Sequence, residues 1–361
     1  MTTNIARGIA VACSMMMVLV AGCHSDPCNL YGTCGNGPAK PTSWPDLGYD
    51  AVSDLVSDHG LNKPEVPLSE VSSPKPWHYP PDATKQQIAA LDRLNAYRLA
   101  SSVAPVDEHE ALNAAAQSHA EFIVNHCQDY KNSGLSVHQE NSDWSGFTGV
   151  NVWNRVSHFG YSSSGVAEVI GFVNNPEAAV DGWIGTLYHR LPLLDPATME
   201  VGYGNSGIGG GTCNYPLYKQ ADVMDVGMGF VAEDAVVVYP PDGAKGVPGS
   251  FNGYESPQPQ KPPGGFPSGT IITVQFGKPI GFEVQGHHLL ENGTDPVEHL
   301  FLAPFADDLH DVLKDPNASF ADNNVTMYAY KPLKSKTTYR AIIDLLRGGK
   351  PLHVETTFTT Q

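Results

Sequence analysis

Positive charge is scarce in this chain: 21 Lys and Arg stand against 38 Asp and Glu, a formal net charge of −17. No run of basic residues breaks that balance. Such a chain repels phosphate backbones and anionic head groups, which argues against nucleic acid as a partner. There is no CxxC pair, so zinc-ribbon and thioredoxin chemistry lack their ligands. The GxSxG elbow, the HExxH helix and the GxxxxGK[ST] phosphate loop are missing too. The apolar run near the N-terminus, Ile9 to Val20, is too short to span a bilayer, which takes about 20 residues. Neither internal repeats nor coiled-coil heptads are present.

That short run has a different meaning. Residues 1–23 place Arg7 ahead of it and Ala21-Gly22-Cys23 after it, the layout of an export signal. The "LVAGC" ending resembles a bacterial lipobox, whose cysteine is lipidated and becomes the mature N-terminus. Cys23 is the expected lipidation site. The protein is then exported and lipid-anchored in the bacterial cell envelope. His24 follows the cysteine with no acidic residue to hold it at the inner membrane, which favours the outer membrane in a Gram-negative cell. Cys28, Cys34, Cys127 and Cys213 remain, an even number in an oxidising compartment. Three pairings are open; a local Cys28–Cys34 bridge would leave Cys127 to Cys213.

With 36 Gly and 29 Pro, much of the length must be turn or linker. Residues 24–81 read as a flexible tether, rich in Pro, Ser and Gly, which would hold the rest clear of the membrane. From 82 to 236 helical periodicity appears. Ile88, Leu91 and Leu94 share one face; Leu112, Ala115, Ala116, His119, Phe122 and Ile123 form a second stripe; and Asn175-Pro176 opens a third helix. Short strand-like runs such as "GVAEVIGF" and "ADVMDVGMGFV" lie among them. Residues 239–361 read as strands divided by Gly, Pro and Lys, a β-sandwich pattern. The fold class is therefore α+β: a layered helix-and-sheet domain, then a β-sandwich.

Three pieces of the central domain, "LNAYR" (94–98), "LNAAAQSHAEFIVNH" (112–126) and "AAVDGWIGTLYHRLPLLDP" (178–196), together resemble the bacterial branch of the CAP superfamily, the SCP-like extracellular proteins. The C-terminal part resembles bacterial immunoglobulin-like modules. The CAP resemblance implies an α-β-α sandwich with a cleft lined by two histidines and one or two acidic residues. Position by position it assigns His138 in "SVHQE", Glu168 in "VAEVIG" and His189 in "LYHR". A second family Glu, three residues after the helix Trp, is Thr186 here. Glu140 and Asp181 are the alternative sources of a second carboxylate.

Two imidazoles and a carboxylate form a set that binds Zn²⁺ or another divalent metal and leaves a position for water. Without metal the same groups can relay protons. His119 and His126 lie on the apolar stripe and read as satisfied core histidines. Asn95 and Arg98 read as holding the first helix to the sheet. His287 and His288 are adjacent on a strand, so they face opposite sides and read as surface residues. Three functions compete: a module whose cleft binds a hydrophobic or envelope-derived ligand, a metal-dependent hydrolase using His138, Glu168 and His189, and an adhesive surface protein with an inert cleft. Loss of the second carboxylate weighs against the enzyme.

Overall fold

The computed structural model describes residues 75–361 apart from 76, 164, 208–214, 230–233 and 321–322. The expected signal, Cys23, nearly all of the tether, Cys28, Cys34 and Cys213 lie outside the described residues. Helix α1 (Lys85–Ala100) begins at Thr84, whose side chain and that of Gln87 cap each other's backbone N–H. Helix α2 (Glu110–Asn125) is capped by the His109 ring. The short helices α3 (Cys127–Ser133) and α4 (Val152–His158) follow, α4 capped by Asn151. Helix α5 (Pro176–Gly185) starts at Asn175 with Pro176 in its first turn, as the spacing predicts, and α6 (Arg190–Leu194) completes the set.

A four-stranded sheet lies among these helices. Its strands are β1 (Asp107–Glu108), β2 (Gly165–Gly171), β3 (Thr198–Gly207) and β4 (Gln220–Met228), in the order β1-β3-β4-β2. Alternation along β4 sorts the helices. Ala221 and Val223 pack with Ala116, Ala120 and Ile123 of α2, whereas Met224 and Val226 pack with Leu91, Leu94 and Trp183 of α1 and α5. Helices thus cover both faces. Strand β3 carries Gly202 and Gly204 because α2 crosses it closely: a Cβ on Gly202 would sit 2.1 Å from the backbone N of Asn113, and one on Gly204 2.1 Å from that of Gln117. Asn95 and Arg98 do hold α1 in place. Asn95 exchanges two hydrogen bonds with the Val106 backbone, and Arg98 donates to the carbonyls of Ala104, Leu193, Asp195 and Thr198.

The remainder is sheet-rich. Strands β5 (Val236–Tyr239), β6 (Ala244–Val247), β7 (Ile272–Phe276), β8 (Phe282–Glu291), β9 (Asp295–Pro296), β10 (His299–Ala303), β11 (Leu313–Lys314), β12 (Asn324–Ala329), β13 (Thr338–Arg347) and β14 (Lys350–Thr360) form two sheets. One runs β11-β10-β12-β7-β5, the other β6-β14-β13-β8-β9. Val274, Phe301 and Met327 of the first share an apolar cluster with Val284, Ile343 and Phe358 of the second.

The two halves meet at the turn after α5. Leu187, Tyr188 and Leu191 bury against Phe251, Ile271, Leu300 and Phe320. Arg190, fully buried, donates to the Ile271 carbonyl, and the Tyr188 hydroxyl donates to Asp315 at 2.6 Å.

Candidate functional site

Glu168 stands on β2 between Val166 and Ile170, both of which pack toward α2 and α4, so the pleat sends its carboxylate to that side. There it accepts from the Nδ1 of His138 at 2.8 Å and from the guanidinium of Arg155, on α4, at 2.5 Å. Arg155 also donates to the His138 carbonyl at 3.1 Å, which ties the histidine loop to the helix. Arg155 and Glu168 are buried; the His138 side chain retains 22% of its exposure. Its Nε2 is the ring nitrogen free of Glu168.

Behind this chain lies a second pair. His119 is fully buried, with Nδ1 2.9 Å from Glu140 and Nε2 2.8 Å from the Val137 carbonyl. Both ring nitrogens are engaged, as a satisfied core histidine requires. Glu140 also accepts from the backbone N–H groups of Thr148 and Gly149, at 2.7 and 3.3 Å, and so fixes the loop beside His138. His126 is bound to Asp129 and the Ser145 carbonyl.

Asp225 is the neutral neighbour of the Glu168 charge. It sits opposite Glu168 in the β2–β4 register, on the same face and within hydrogen-bonding reach of that carboxylate. Burial, reinforced by the Glu168 charge, raises its pKa well above the usual carboxylate range, so Asp225 keeps its proton. Burial also opposes ionisation of Glu168, but Arg155, His119 and His138 outweigh it and hold Glu168 ionised. Sequence reasoning had passed over Arg155 and Asp225. Their signal was a charged side chain at a core-facing position: Arg155 between Val152 and Val156, and Asp225 between Val223 and Gly227.

His189 meets a different carboxylate. Its Nδ1 lies 2.8 Å from Glu255, a residue of the connection between β6 and β7, and 3.2 Å from the Thr186 hydroxyl. The same Glu255 carboxylate accepts from the backbone N–H groups of Leu187, Tyr188 and His189 at 2.9, 2.6 and 3.0 Å. Asp181 bonds Arg93 and the Tyr97 hydroxyl at 2.6 and 2.7 Å. The structure therefore brings His138 and Glu168 together, with Glu140 one step behind, and joins His189 to Glu255.

These residues do not fit a metal as they stand. Each Glu168 oxygen is taken by a donor and both nitrogens of His119 are engaged, which leaves the outer nitrogens of His138 and His189, each ring held by a different carboxylate. Among the described residues no three of His, Cys, Asp and Glu converge as a metal site. Beside α4, a cavity of about 350 Å³ is lined by Trp153, Val156, Ser157, Tyr161, Ser163 and Val166, among others.

Comparison with known proteins gives the domain its relatives. Residues 91–215 match the CAP family, described as the cysteine-rich secretory protein family, which supports a CAP domain over that span. None of the curated proteins matches the chain. Among solved structures the chain is similar to an extracellular SCP-domain protein from Bacillus anthracis str. Ames, at 17% identity and TM-score 0.28, over 42% of this chain and 45% of that one. It is similar to an outer surface protein from Borrelia burgdorferi, at 12% identity and TM-score 0.30, over 41% and 95%. A cysteine-rich secretory protein from Staphylococcus aureus matches at 13% identity and TM-score 0.26, over 41% and 40%. The chain thus spans less than half the length of the Bacillus and Staphylococcus proteins. Among the described residues no helix is long and apolar enough to cross a membrane.

Proposed function

We propose that this chain is an exported, lipid-anchored envelope protein whose CAP domain binds a small amphipathic ligand at the surface formed by His138 and the cavity beside α4. One observation carries the reading: a buried carboxylate, itself held by a buried arginine, orients a partly exposed imidazole. Glu168 fixes the ring and leaves Nε2 to donate to or accept from a bound polar group. The cavity supplies Trp153, Val156 and Val166 for an apolar body and Ser157 and Ser163 for hydroxyls, in a volume usual for small-ligand sites. The lipobox-like Cys23 would keep the domain at the membrane that supplies such a ligand. The immunoglobulin-like resemblance of residues 239–361 belongs to the same reading, as a rigid platform.

A fluorescent fatty acid tests the binding. Wild-type protein should bind it saturably, and Ser157→Trp, which fills the cavity mouth from an exposed position, should weaken binding by about tenfold, as should His138→Ala. Equal affinity in all three proteins sinks the proposal. Radiolabelled palmitate should enter wild-type cells' protein and not Cys23→Ala.

A hydrolase is the second reading, favoured by the same carboxylate-oriented imidazole, which is the geometry of a general base. It requires turnover of an ester or peptide substrate that both His138→Ala and Glu168→Gln abolish.

A further inference from the structure

The polar groups that line the cavity beside α4 differ in what they can still offer a ligand. Trp153, Val156 and Ser157 are spaced three and four residues apart on α4 and so share one of its faces. Just past the helix the chain turns back at Gly160, and the Tyr161 N–H bonds the Val156 carbonyl at 2.9 Å. Tyr161 then lies over Gly227 of β4, where a Cβ would sit 1.8 Å from its hydroxyl oxygen. Gly227 is paired with Val166 of β2 on one side and Glu200 of β3 on the other. Val166 lines the cavity, and Glu200 takes the tyrosine hydroxyl.

Two of the lining hydroxyls have no hydrogen left to give. Tyr161 donates to Glu200 at 2.9 Å, and Ser163 donates to the Met228 carbonyl at 2.5 Å. Toward a ligand each can only accept. The Ser157 and Ser162 hydroxyls and the Trp153 indole N–H, by contrast, have no hydrogen-bond partner among the described residues. The indole can only donate. None of the described lining residues is basic or acidic.

This pattern sorts the head groups that could enter. An ionised carboxylate brings acceptors alone, so Tyr161 and Ser163 would face it unpaired, with no cation in the wall to answer its charge. An ammonium group donates but has no lone pair for the indole N–H. An acyl chain would cover all of these groups and bond none of them. A sugar ring meets each demand. Its hydroxyls both donate and accept, and its C–H face is apolar, as Val156, Val166 and the indole are. At about 350 Å³ the cavity lies at the small end of ligand sites, a size suited to one such ring. Resting on the ligand-binding reading above, we propose that the head group held in this cavity is a neutral pyranose.

Calorimetric titration of the full chain tests this with probes that share an eight-carbon tail and differ in head group: octyl β-D-glucopyranoside, octanoate and octylamine, each kept below micelle-forming concentration. The glucoside should bind at least about tenfold tighter than either of the others. Trp153→Leu and Tyr161→Phe should each weaken the glucoside by about tenfold and leave octanoate unchanged, with thermal melts verifying that both variants fold. Methyl β-D-glucopyranoside separates the sources: binding as tight as the octyl glucoside means a free saccharide, and a need for the tail means a glycolipid. The pyranose is overturned if octanoate or octylamine binds as tightly as the glucoside, or if both variants bind the glucoside like wild type. Fatty-acid binding that Ser157→Trp weakens, without glucoside binding, overturns the sugar alone and leaves the ligand-binding reading standing; no binding of any probe overturns both.

Discussion

Arg155 is wholly buried, and its charge is answered by Glu168 at 2.5 Å. Removing one partner of such a pair strands the other charge out of water. Arg155→Met should therefore cost about 3–5 kcal/mol in urea unfolding at pH 7. Glu108 supplies the opposite lesson. It is buried on β1, and burial outweighs its contact with Asn113 and raises its pKa from 4.5 to about 7. Between those values the folded state holds a proton that the unfolded state has released, so stability falls as pH rises through the window. Glu108→Gln should raise the urea midpoint at pH 8 and leave it nearly unchanged at pH 4, and equal shifts at both would contradict this account. His138 and Glu168 were singled out by a resemblance carried on short motifs, and the structure sets them 2.8 Å apart. Arg155 was not: in a seven-residue helix a single Arg reads as a solvent-facing residue until the sheet beneath it is known.

At the scale of elements, the long helices were legible from capping residues and periodicity, because both signals act within a few residues of chain. Strand β3 was not. "TMEVGYGNSG" is poor in β-branched residues, and its glycines answer to α2, which crosses above them. Gly202→Ala drives a methyl into the α2 backbone, where nothing flexible can yield. It should destabilise by at least about 3 kcal/mol, measured as a lowered urea midpoint, while Gly243→Ala, whose added carbon would meet open space, costs less through its positive φ of 81° alone. The bulge in β8, where Gln285 is an extra residue between the pairs Val284↔Leu345 and Gly286↔Asp344, was equally hidden. Strict alternation rightly separates His287 from His288, but only pairing with β13 shows that His287 turns inward to meet His299.

Across the whole molecule, the turn at 187–189 joins the two halves through one carboxylate. Glu255 has no exposed side-chain surface and takes three backbone N–H groups and the His189 ring. Glu255→Ala leaves those donors unpaired and should cost about 2–4 kcal/mol. Calorimetry should then show the halves unfolding in two transitions where wild type shows one. A single cooperative transition in the variant would mean that the apolar contacts of Leu187, Tyr188 and Leu191 suffice to couple them. The helix before His189 ends where it does because the next residues belong to an interface, and an imidazole there meets a carboxylate 66 residues away.

Local order determined a good part of this protein by itself. Capping residues, apolar periodicity and a set of motifs in sequence order were enough to expect helices with sheet, a sheet-rich second half, and His138, Glu168 and His189 as candidates. Tertiary structure alone decided which carboxylate each histidine meets, since pairing depends on strand register and packing between distant segments. Arg155 joined Glu168, Glu255 claimed His189, and an extra residue in β8 aimed His287 at His299. Each of these contacts is set by where backbones cross in space, and no residue type or spacing along the chain carries that information.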